Sequence, residues 1–94
     1  MVDEWKYAVV DLSNNITTIS TKPALVKGCY VNTALSAHTC PIQDNTTAVY
    51  TLAASSPAES IYEWPPTRFE TSLIVDPNDS ATGNITITYK DLRA

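Results

Sequence analysis

The residues best suited to chemistry in this 94-residue chain fall in one stretch, LVKGCYVNTALSAHTCPIQD, from Leu25 to Asp44. It holds both cysteines, Cys29 and Cys40, and the only histidine, His38. Three potential zinc ligands this close invite a metal reading, but zinc takes four protein ligands, or three and a water. His38 and Cys40 stand two apart in strand-like sequence rather than on a zinc-knuckle turn, and no second ligand pair follows. A thiol nucleophile needs a histidine base and a third group to orient it, and no local signature supplies that set. Two readings of the cysteines stay open. If the stretch is a hairpin with Tyr30 opposite Thr39, Cys29 stands opposite Cys40, within reach of a disulfide. Closing so short a loop adds about 3 kcal/mol at most. Otherwise both are reduced core thiols, as a cytosolic origin favours.

The carboxylates are no more suggestive of catalysis. Asp3/Glu4, Glu59/Glu63 and Asp76/Asp79 are the available pairs, all in terminal or turn-like sequence. Asp76-x-Asn78-x-Ser80 has a trace of a calcium loop, but it lacks the glycine and closing glutamate of an EF-hand and precedes a strand. No catalytic residue, metal or cofactor is therefore expected.

The aromatic residues point to recognition instead. In YEWPPTRF, Tyr62 to Phe69, Trp64 stands beside two prolines that hold the backbone rigid. Trp, Tyr and Arg are the types most enriched in interface hot spots. Trp5, Tyr7, Tyr62, Trp64, Pro65, Pro66 and Arg68 are accordingly the interface candidates. For Trp64 the competing role is to cap one end of the fold. Tyr7, Tyr50, Phe69 and Tyr89 also fit inward-facing positions.

These residues must be positioned by strands. No ten-residue stretch shows helical apolar spacing, whereas strand-like alternation recurs throughout. Trp5, Tyr7 and Val9 alternate with Lys6, Ala8 and Val10. Ile16–Ser20, Ala24–Asn32, His38–Gln43, Ala48–Ala53, Ser60–Trp64, Arg68–Asp76 and Asn84–Lys90 read as further strands. Leu25, Cys29 and Val31 share one face of theirs, and Phe69, Thr71, Leu73 and Val75 one face of theirs. Pro23, Ser55-Ser56-Pro57 and Pro65-Pro66 act as breaks, and Pro41 marks an edge or a bulge. With only two glycines, turns are expected to use Asn and Asp, or longer connections built on type I turns. The expectation is an all-β fold: a single small antiparallel β-sandwich over residues 1–94, jelly-roll or Ig-like, of about eight short strands. Residues 1–12 are a candidate N-terminal arm or exchanged strand.

Composition narrows the partners. Charged residues are 17% of the chain and the net charge is −4, below the usual charged share. Lys6, Lys22, Lys27, Arg68, Lys90 and Arg93 are scattered, so no basic stripe exists to neutralise phosphates and nucleic acid is not an expected partner. No apolar run is long enough for a transmembrane helix. The acidic N-terminus does not read as a secretory signal, and the expectation is synthesis in a cytosol.

The order of segments resembles small β-sandwich virion proteins of tailed bacteriophages. These carry a "vL-kG-v-vn" strand, a "Dnt" hairpin, an "f--GL-v" strand and a terminal "itv-Y" strand. The matching positions here are Leu25, Gly28, Val31, Asn32, Asp44, Asn45, Thr46, Phe69, Leu73, Val75, Ile87 and Tyr89, between residues 24 and 90. Ser72 stands where the family has the glycine of its GL pair, and the cysteines lie outside the pattern. The resemblance implies a capsid decoration (cement) protein on the virion surface, made in the host cytoplasm. It would bind the major capsid protein as a homotrimer and have no enzymatic activity. The alternative is a carbohydrate- or receptor-binding module of a phage fibre or tail, with Trp64 and Tyr62 stacking on a sugar.

Overall fold

Alternating apolar and polar side chains produce eight strands in the computed structural model, which describes residues 5–14, 16–77 and 80–92. They are β1 (Lys6–Asp11), β2 (Thr17–Ser20), β3 (Ala24–Thr33), β4 (Cys40–Asp44), β5 (Thr47–Leu52), β6 (Ile61–Phe69), β7 (Leu73–Val75) and β8 (Asn84–Asp91). A single 3₁₀ turn, Leu12–Asn14, is the only helical element among the described residues. β1 pairs with β8, β2 with β7, β3 with β6 and β4 with β5, all antiparallel. That is one long hairpin folded about the β4–β5 turn. Rolling it up adds the β3–β8 and β4–β7 contacts. The result is two four-stranded sheets, A (β1-β8-β3-β6) and B (β2-β7-β4-β5). This is the order of a jelly roll, so the jelly-roll form of the expected sandwich is the one observed.

The core lies between the sheets. Phe69, Leu73, Ile85, Ile87, Val26, Val31, Ile42 and Leu52 are fully buried there. Burying a side chain of this kind stabilises the fold by about 1.5–3 kcal/mol. Tyr7 does not join them. It is 73% exposed, because the inward face of β1 belongs to Val10. Tyr50 and Tyr89 pack only at the margin of the core.

Two breaks in alternation depart from the sequence reading. In β3 a register shift at Lys27–Gly28 reverses the phase, so Ala24 and Val26 share the inner face with Cys29 and Val31, while Leu25 turns outward. A Cβ at Gly28 would meet the Tyr62 carbonyl at 2.7 Å, so only glycine lets β6 approach this closely. The second break divides the expected Arg68–Asp76 strand. β6 ends at Phe69, and Glu70–Ser72 form a corner that passes the chain from sheet A to sheet B. Thr71 is exposed and Ser72 buried, the reverse of strict alternation. The corner is held by Asp44, whose carboxylate accepts the backbone N–H groups of Glu70 (2.8 Å), Thr71 (2.9 Å) and Ser72 (3.3 Å). The Ser72 hydroxyl in return accepts the Asn45 N–H at 3.0 Å. Asn45 makes the β4–β5 turn with φ of 57°, as a glycine-poor sequence requires of asparagine.

Pro65 and Pro66 do not stop a strand, as their sequence suggests. β6 runs through them because it is an edge strand, where a missing N–H costs no ladder bond. The register jumps between Val26↔Thr67 and Gly28↔Glu63, so Trp64, Pro65 and Pro66 bulge out of the ladder. Pro41 lies in β4, an interior strand, beside a register shift at Ile42–Gln43.

Candidate functional site

The cysteine stretch is not a hairpin. β3 ends at Thr33 and the next residues carry the chain across to sheet B, so Tyr30 pairs with Ile61 and Thr86 rather than Thr39. Cys29 and Cys40 lie in opposite sheets, buried and free. Burial pushes each thiol up to about 12. A charge on Cys40 would raise Cys29 further, and Asp76 does the same to Cys40. Such thiols are neutral and unreactive at physiological pH. His38 sits in the crossing loop, half-exposed. No group of three or more His, Cys, Asp or Glu is placed to hold a metal among the described residues. Asp3, Glu4, Asn78, Asp79 and Arg93 lie outside those residues.

Trp64 and Tyr62 turn toward their own molecule. The Trp64 indole stacks on Tyr50 of β5, centroids 4.2 Å apart and planes 16° from parallel, and donates its N–H to the Val26 carbonyl at 3.2 Å. The Thr67 hydroxyl donates to the Pro65 carbonyl and shares a 2.7 Å hydrogen bond with the Tyr50 hydroxyl. Tyr62 is hydrogen-bonded to Ser56, a buried hydroxyl that also donates to the Ala53 carbonyl. These contacts strap edge strand β6 to edge strand β5. Pro65 and Pro66 are exposed on the bulge, and Arg68 is held by Glu70 in a surface ion pair of 2.8 Å.

The apolar surface gathers elsewhere, on the outer face of sheet A. Cross-strand register sets Val9, Thr86, Tyr30 and Ile61 in one row across all four strands. Val9 is 57% exposed, Tyr30 38% and Ile61 65%. The adjacent row runs Tyr7, Thr88, Gly28, Glu63. A shallow groove lies there beside Gly28, lined by Lys27, Tyr30, Ile61, Glu63 and Thr88 together with Tyr62, Trp64 and Pro66. Trp5 lies against the same face, with the Lys27 and Lys90 ammonium groups 5.3 and 5.4 Å from its ring. Each cation–π contact of this exposed kind contributes about 0.5–1 kcal/mol. Asn32 donates to Asn84 (2.8 Å) and Thr86 (2.7 Å), fixing the polar border. Among strand residues of sheet B the one comparably exposed apolar side chain is Val49, at 37%.

Of the expected interface residues, Trp5 and Tyr7 are on this face, and Tyr62, Trp64 and Pro66 line the groove at its β6 edge, Trp64 and Tyr62 being also held by the strap contacts. Tyr30, Ile61 and Val9 were not singled out from sequence. Their signal is visible only after register is known, because they come from three separate strands. No helix of the described residues is long and apolar enough to cross a membrane. The chain matches no protein-family model, no curated protein and no solved structure.

Proposed function

We propose that this chain is a non-catalytic assembly protein, a bacteriophage capsid decoration protein that binds the major capsid protein through the outer face of sheet A. The observation that carries the reading is the row of exposed Val9, Tyr30 and Ile61 beside Tyr7 and Trp5, on one sheet of a fold whose other sheet's strands expose one large apolar side chain, Val49, among the described residues. Contiguous apolar surface rimmed by polar groups marks interaction sites. The sequence resemblance supplies the partner class. The jelly roll, used by viral capsid and lectin domains alike, agrees with it by analogy only. A net charge of −4 suits a position outside a DNA-filled shell.

The test is co-sedimentation of the purified chain with expanded phage heads stripped of decoration protein. Saturable binding is expected, weakened about tenfold or more by Tyr30→Ser with Ile61→Ser, with little change in unfolding midpoint. Absence of binding to heads would overturn the proposal.

A second reading, a carbohydrate-binding module, draws on Tyr30 and the Thr88 hydroxyl lining the Gly28 groove, with Tyr7 paired beside Thr88 on the neighbouring strand. Aromatic faces stack on sugar rings while hydroxyls take the polar edges. Glycan binding lost in Tyr7→Ala and Tyr30→Ala, with no binding to heads, would favour it.

A further inference from the structure

A jelly roll has four sheet edges, and three of them here are blunted. β6 carries two prolines and a bulge. β5 has a register shift against β4, and its Tyr50 is strapped to β6 through Trp64 and Thr67. β2 has four residues and a register shift between Thr18 and Ser20. These are devices by which proteins keep edges from pairing. The fourth edge lacks them. β1 runs six residues, Lys6–Asp11, in unbroken register with β8. It contains no proline, its middle residues Tyr7, Ala8, Val9 and Val10 carry no charge, and no strand flanks its other side among the described residues.

We propose that β1 pairs antiparallel with β1 of a second copy of this chain, joining the two A sheets into one continuous eight-stranded sheet. The symmetry of such a pair fixes much of its register. Two identical antiparallel strands are related by a two-fold axis perpendicular to the sheet, so outward residues must face outward residues. Trp5, Tyr7, Val9 and Asp11 alternate with the inward Ala8 and Val10. Only registers that keep this parity are allowed, since a one-residue slip would turn every side chain over.

Among the allowed registers, one uses the full length from Trp5 to Asp11. It places Ala8 on the axis against Ala8 of the second copy. Tyr7 then meets Val9 of the second copy, and Val9 meets its Tyr7. An aromatic against a β-branched side chain is a favourable cross-strand pair, and it occurs twice by symmetry. This register sets Trp5 against Asp11; shifting the axis to Val9 would set Tyr7 against Asp11 instead and leave Trp5 and Lys6 without strand partners. The chosen register sets the two most exposed apolar side chains of β1, at 73% and 57%, side by side across the seam. It leaves the outer faces of both A sheets open and side by side. The inference rests on the edges of the fold alone and stands whether or not the outer face binds a capsid.

The experiment is light scattering on a sizing column, with the full chain at micromolar to millimolar concentration. The expected mass is twice the 10.3 kDa of the chain. Tyr7→Lys with Val9→Lys sets like charges opposite one another twice and should weaken the dimer about tenfold or more. Tyr7→Lys with Val9→Glu sets opposite charges in the same two places and should retain it. Circular dichroism verifies that each variant folds, and the mass of the unaltered chain decides the matter even if one does not. A monomer at every concentration, or the threefold mass that the phage resemblance implies, would overturn the inference. So would a dimer indifferent to the paired lysines, or one lost equally in both charge arrangements.

Discussion

Replacing Asp44 by asparagine tests how the chain turns from one sheet to the other. The carboxylate accepts three backbone N–H groups at the Glu70–Ser72 corner, two of them at 2.8 and 2.9 Å. Burial works to raise its pKa, but the three N–H bonds outweigh it and hold the group below the ordinary 3.8. Hydrogen bonds to a charged acceptor contribute about 1.5–3 kcal/mol each, against 0.5–1.5 for neutral ones. The amide of Asp44→Asn would keep one oxygen for Thr71 and Ser72 but would turn its NH₂ group toward the Glu70 N–H. Water can reach that N–H, which lowers the cost. The net loss works out at about 2 kcal/mol, or roughly 10 °C in Tm for a domain of this size. Urea unfolding followed by tryptophan fluorescence at neutral pH measures it. The sign with pH is also fixed. A carboxylate with a depressed folded-state pKa stabilises fully above its unfolded value, and that contribution is lost as pH falls through the folded value. The gap between the native chain and Asp44→Asn should therefore close on acidification below about pH 4. A loss under 0.5 kcal/mol at neutral pH, or a gap indifferent to acid, would refute the corner argument.

Three further outcomes follow from the strap and the thiols. Trp64→Ala removes the stacking on Tyr50, the bond to the Val26 carbonyl and half-buried apolar area, and should cost about 2–3 kcal/mol, below the range for a fully buried tryptophan; a denaturant midpoint within error of the native one would mean that β5 and β6 need no strap. Cys29 and Cys40, pushed up to about 12 by burial, should resist alkylation at pH 8 in the folded chain and react once it is unfolded, as mass spectrometry would read. Because the unfolded thiols ionise near 9.0, the stability they contribute should decline as pH rises from there toward 12.

Much of this fold is legible in local pattern. The stretch Ala24–Asn32 became β3 (Ala24–Thr33), and Asn84–Lys90 became β8 with Ile85 and Ile87 inward. Alternation also paired Trp5, Tyr7 and Val9 on one face, though that face proved to be the outer one. What local pattern misread has non-local causes. The Phe69–Val75 alternation looks like one strand, and only the arrival of Asp44, 26 residues earlier than Glu70, bends it into two. The cysteines look like hairpin partners because they are near in sequence, whereas rolling the long hairpin sends their strands to opposite sheets. Pro65-Pro66 looks terminal until β6 is known to be an edge. The exposed apolar face of sheet A was the least legible feature. Tyr30 and Ile61 are ordinary strand residues until register brings them level with Val9.

The nesting of strands also sets the order in which the molecule can be completed. β8, the last strand along the chain, lies between β1 and β3, two of the earliest. While the chain is being made, sheet A therefore has a gap at its centre, and neither β1 nor Cys29-bearing β3 has the neighbour it will eventually share. Only the inner hairpin of β4 and β5 can form from adjacent sequence. Contacts between distant segments close slowly, and strands waiting for partners are open to wrong ones. Folding of sheet A is consequently an event that follows synthesis of β8.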